Sequence, residues 1–128
     1  MHPNTLKTLV AVGLLFLFPA MAVAAPPAGS WRGVVSTSRS DIATTIRFTG
    51  QQGDVHFAEP FACHVTAKVQ SQSGDSTTYQ FGASANGGRF CDSLLGRSLQ
   101  VTVQGGQMHV RFDAPMGSWQ GDLSQSGQ

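Results

Sequence analysis

Leu99-Gln100-Val101-Thr102-Val103-Gln104-Gly105-Gly106-Gln107-Met108-His109-Val110-Arg111-Phe112 is the stretch that decides the fold class. Leu99, Val101 and Val103 alternate with polar residues before a glycine pair. Met108, Val110 and Phe112 alternate with His109 and Arg111 after it. Successive side chains of a strand point to opposite faces, so a period of two marks a strand with one face buried. Two glycines between two such runs mark a hairpin, because the tightest hairpin turns need positive φ. The stretch therefore predicts residues 99–104 paired with residues 107–112.

The same alternation recurs along the chain. Trp31, Gly33 and Val35 share one face, as do Ile42, Thr44, Ile46 and Phe48. Val55 and Phe57 are expected to face inward with His56 outward. Cys63, Val65, Ala67 and Val69 face inward against His64, Thr66 and Lys68. Thr77, Tyr79 and Phe81 mark a further strand, and Trp119 and Leu123 the last. Turn chemistry separates the runs at residues 50–53 and 73–75. No segment has helical period long enough for a core helix. The expected fold is all-β: a small antiparallel sandwich or closed barrel of about eight short strands.

An internal repeat bears on closure. Gly29-Ser30-Trp31-Arg32-Gly33-Val34-Val35-Ser36-Thr37-Ser38 matches Gly117-Ser118-Trp119-Gln120-Gly121-Asp122-Leu123-Ser124-Gln125-Ser126 at six of ten positions. Equivalent first and last strands could pair and close the sheet, removing the exposed edges that invite aggregation. Gly29-Ser30-Trp31 also resembles the opening motif of lipocalins and avidins. The match covers those three residues, and the resemblance implies a barrel.

The longest connection runs from 83 to 97. Asn86-Gly87-Gly88 is a turn, and residues 90–95 can form one helical turn stopped by Gly96.

Residues 1–24 read as a cleaved, helical signal peptide. Lys7 gives a basic start, residues 9–18 are uninterruptedly apolar, Pro19 breaks the run, and Ala22-Val23-Ala24 supplies small residues for cleavage. The apolar run is about half the length a membrane span needs. The expectation is a single exported β-domain over 25–128, periplasmic or secreted and without a stable membrane anchor. Its first five residues form a lead-in, and residues 124–128 a frayed polar tail.

The chain carries eight Lys plus Arg and seven Asp plus Glu, and without Lys7 seven basic residues remain. A neutral chain with scattered charge lacks the basic face of a nucleic-acid binder. The expected partner is a protein, with a glycan or small molecule as alternatives. Cys63 and Cys91 form an even pair in an exported chain, which reads as a disulfide.

Catalytic constellations are hard to find. Cys63-His64 cannot act as a nucleophile pair, because adjacent strand residues point apart. The same divergence spoils a zinc set of Cys63, His64, Cys91 and His109. Outward His56, His64 and His109 would be a less strained metal set, but exposed strand histidines are ordinarily just solvated. No Gly-x-Ser-x-Gly elbow occurs. Glu59 is the only glutamate, and the aspartates lie mostly beside glycine or serine, as in turns. Neither an enzyme nor a cofactor or metal is expected.

The remaining candidates lie on the long connection: Asn86, Arg89, Phe90, Asp92 and Arg97. Arginine and aromatic residues anchor protein interfaces. The expected function is a non-enzymatic binding module acting through residues 86–97, in concrete form an inhibitor or immunity-type protein directed at an envelope protein. The alternatives are a small-ligand carrier in a calycin-like barrel and a structural or assembly factor of the envelope.

Overall fold

A computed structural model describes residues 25–126 of the chain; residues 1–24, expected from the sequence to be a signal peptide, lie outside the described residues. Eight antiparallel strands form a closed barrel in chain order. They are β1 (Gly29–Ser36), β2 (Asp41–Thr49), β3 (Gln52–Phe57), β4 (Cys63–Ser73), β5 (Ser76–Ser84), β6 (Ser98–Gln104), β7 (Gln107–Ala114) and β8 (Gly117–Gln125). One helical turn, α1 (Arg89–Asp92), follows β5. Of the two architectures the alternation allows, the barrel is the one formed.

The alternation sorts inside from outside as the sequence predicts. In β2 the odd positions are exposed and Ile42, Thr44, Ile46 and Phe48 are buried. In β7 Met108, Val110, Phe112 and Ala114 are buried while His109 and Arg111 face outward. An eight-stranded barrel is just wide enough for its own side chains to fill. Phe48, Phe57, Tyr79, Phe81 and Leu99 do so here. The outer wall is polar, with Arg47, His56, Lys68, Gln100 and Arg111 exposed, the inverse of a barrel whose outside faces lipid.

The opening hairpin forms in the predicted register, Leu99 opposite Phe112 and Gln104 opposite Gln107. Gly105 and Gly106 adopt φ of 59° and 80°, a left-handed pair that glycine tolerates best. The expected turn at 50–53 is shorter than read. It occupies Gly50 and Gln51, while Gly53 is a buried strand residue whose absent side chain leaves room for the Phe48 ring.

Closure occurs at the repeat. β1 pairs with β8, placing Gly33 opposite Leu123 and Val35 opposite Gly121. A Cβ on Gly33 would overlap the carbonyl oxygen of Asp122, and one on Gly121 that of Val34. The repeated glycines therefore let the seam strands approach. Because these strands are antiparallel, the two tryptophans lie at opposite ends. Trp31 donates its indole N–H to the carbonyl of Ala28 at 2.9 Å. Trp119 closes the other end.

The expected tail is corrected by this pairing. Ser124 and Gln125 belong to β8 opposite Arg32 and Trp31, and the Ser126 N–H donates to the Ser30 carbonyl. Gly29, read as lead-in, begins β1 opposite Phe48.

The two ends of the barrel are unlike. The Trp31 end carries two-residue turns at 50–51, 74–75 and 105–106. The Trp119 end carries the longer connections 37–40, 58–62 and 85–97, together with the tight 115–116 turn. Loops on a rigid scaffold are where binding residues concentrate.

Candidate binding site at the barrel mouth

The Cys63–Cys91 disulfide ties β4 to α1. Closing that loop stabilises the fold by about 3.6 kcal/mol in the chain-entropy view. It also fixes where the long connection lies. Ser93 Oγ donates to the Phe90 carbonyl at 2.6 Å, and Arg97 Nε donates to the Ser93 carbonyl at 3.0 Å. Asp92 accepts from Ser84 Oγ at 2.7 Å. Asn86 Oδ1 accepts from the His64 N–H at 3.2 Å.

These contacts divide the five loop candidates. Asn86 and Asp92 hold the loop against the barrel wall, and the Arg97 side chain ties the loop to itself at Ser93. Arg89 and Phe90 face the mouth. Phe90 lies nearly parallel to Phe61 with ring centroids 4.0 Å apart, and edge-on to Trp119 at 5.6 Å and Phe57 at 5.1 Å. Below them Phe112 packs parallel to Trp119 at 6.3 Å. Offset and edge-to-face pairs of this kind add about 0.5–1.5 kcal/mol each beyond burial.

Sequence reasoning missed most of the mouth. Phe61 comes from the β3–β4 connection, Trp119 from β8, Pro115 and Met116 from the β7–β8 turn, and Arg39 from the β1–β2 turn. Phe61 precedes Ala62, a non-glycine residue at φ 46°. That region is sterically costly for an L-residue. The Ala62 N–H is held by the Ala58 carbonyl at 3.0 Å.

The result is an open apolar pocket of about 650 Å³ with Arg39 and Arg89 on its rim. Its volume lies within the range of about 300–1,000 Å³ common to ligand sites. The Trp119 indole N–H is buried there without a protein acceptor. Met116 stands 86% exposed on the rim, and Leu95 is 62% exposed on the neighbouring connection. Two other concavities, around Arg97 and Arg111 and around Arg32 and His56, lie on the polar outer wall.

The histidines do not converge. His56 and His64 face each other across β3 and β4 with ring centroids 5.2 Å apart. His109 lies across the barrel on β7, its Nδ1 2.9 Å from Asp122 Oδ1 and its Nε2 3.2 Å from Gln120 Oε1. Both ring nitrogens are thus engaged by neighbours on β8. Among the described residues no group of three or more His, Cys, Asp or Glu side chains is placed to hold a metal ion. Among them, too, no helix is long and apolar enough to cross a membrane.

No protein-family model matches this chain, and a search of curated proteins finds no similar sequence.

Proposed function

We propose that the chain is an exported, non-enzymatic binding module that grips a partner protein with the loop-bearing mouth of its barrel. The observation that carries this reading is the aromatic mouth itself, an apolar pocket with exposed Met116 on its rim. Exposed apolar surface of this kind, rimmed by arginine, is typical of protein interfaces. The ionisable side chains lining the pocket are Arg39 and Arg89. Arginine stays protonated at any working pH, which suits recognition and not proton transfer. Export is supported by the signal pattern of residues 1–24 and agrees with a disulfide-bonded barrel. An inhibitor or immunity-type protein directed at an envelope enzyme is the concrete form.

A small-ligand carrier is the second reading, favoured by the pocket volume. Against it, the pocket opens outward and the barrel below is filled by side chains such as Phe57, Phe81 and Leu94.

The test is affinity capture from the native envelope, using protein recovered after export of the full chain. A discrete partner should be retained by the native protein and by Arg111→Ala on the outer wall, and lost when Phe61→Ser and Met116→Asp are combined. Equal retention by the mouth variant would remove the mouth as the site.

A further inference from the structure

We propose that the mouth receives an acidic segment of a partner protein, an apolar anchor residue flanked by carboxylates; this rests on the mouth being the binding site. Charge is the first ground. Arg39 and Arg89 are the charged residues that line the pocket, and both are exposed. Among the described residues the one basic–acidic pair within ion-pair distance is His109 with Asp122 on the outer wall, so neither guanidinium has a carboxylate partner.

The second ground is the state of the neighbouring polar groups. Thr37 Oγ1 accepts from the backbone N–H groups of Arg39 and Ser40 at 3.0 and 3.1 Å. Ser93 Oγ is committed to the Phe90 carbonyl. Arg97, the nearest further cation on the loop, is committed to the Ser93 carbonyl. Arg39 and Arg89 make no side-chain hydrogen bond within the described residues. They are planar donor forks beside an apolar pocket, matched to carboxylates.

The third ground is breadth. Met116, 86% exposed on the rim, carries apolar surface past the pocket. A segment lying across the mouth would cover that side chain, whereas a small acid seated in the pocket would not. The pocket takes the anchor side chain, and the arginines take the acids on either side of it.

The probes are two synthetic peptides with one apolar anchor pair: acetyl-Glu-Glu-Phe-Leu-Glu-Glu-amide and acetyl-Lys-Lys-Phe-Leu-Lys-Lys-amide. Dodecanoate serves as a third probe. The readout is the pair of tryptophan indole N–H resonances of the exported protein. Trp119 reports the mouth. Trp31, bonded to Ala28 at the opposite end, is the internal control.

The acidic peptide should shift the Trp119 signal saturably and leave Trp31 unmoved, binding about 10-fold tighter than the basic peptide at low salt, with the gap shrinking as salt screens it. Arg39→Ala with Arg89→Ala should abolish most of that preference. Equal or tighter binding of the basic peptide overturns the acidic chemistry and leaves the mouth standing. Dodecanoate binding tighter than either peptide overturns the protein segment in favour of a small amphiphile. A Trp119 signal that none of the probes moves overturns the proposal together with the mouth as a site.

Discussion

Tyr79 shows how a single buried group links this fold to pH. Its side chain is fully enclosed beside Phe48, and its hydroxyl has no protein partner. Desolvation by burial pushes its pKa well above the ordinary tyrosine value. The raised folded-state value favours the neutral form. Its contribution is therefore fully present below the unfolded pKa of about 10 and is lost above it, where the unfolded chain ionises and the folded one resists. Tyr79→Phe should leave stability at neutral pH within about 0.5 kcal/mol, since no protein hydrogen bond is broken. It should also flatten the loss of stability above about pH 10, read by denaturant titration across pH. That Tyr79 faces inward is legible from its place between Thr77 and Phe81. That its hydroxyl is unpaired is not, because its surroundings come from strands distant in sequence.

At the scale of elements, the seam and the staple do separable work. In the seam, Gly121→Ala should destabilise by at least about 2 kcal/mol, the cost of forcing strands apart by overpacking. Gly82→Ala is the control, because its Cβ would come no nearer than 3.4 Å to the Thr66 carbonyl oxygen. Thermal melts of the two variants decide it; equal melting temperatures would mean that the seam does not need its glycines. In the staple, replacing both Cys63 and Cys91 by serine should cost up to about 3.6 kcal/mol in denaturant. It should also release Phe90 from Phe61, seen as a change in Trp119 fluorescence. Each strand was legible because alternation is local. The pairing of β1 with β8 was legible only through the repeat of Gly-Ser-Trp-x-Gly. Gly53 was misread as a turn residue because glycine marks both turns and close packing. The loop 86–97 was legible as a candidate, but not its division of labour. Only hydrogen bonds to Ser84, His64 and Ser93 separate Asp92, Asn86 and Arg97, which hold the loop, from Arg89 and Phe90, which face the mouth.

At the scale of the whole molecule, the described residues form a barrel with one plain end and one furnished end, and closure is what creates the difference. Phe61, Phe90, Trp119, Met116 and Arg39 come from four connections and the start of β8, and they meet only because the sheet returns on itself. No periodicity within a segment could have shown that convergence, and this is why the sequence pointed to one loop where the mouth is built from several. The seam has a further consequence. Gly29 and Gln125 sit side by side at the plain end, since β1 starts where β8 finishes. Any fusion, surface or larger body joined through either side of this barrel is thereby held on the far pole from the mouth. Such a tether would present the arginine-rimmed pocket outward like a cup on a stem, free to meet a partner approaching head-on.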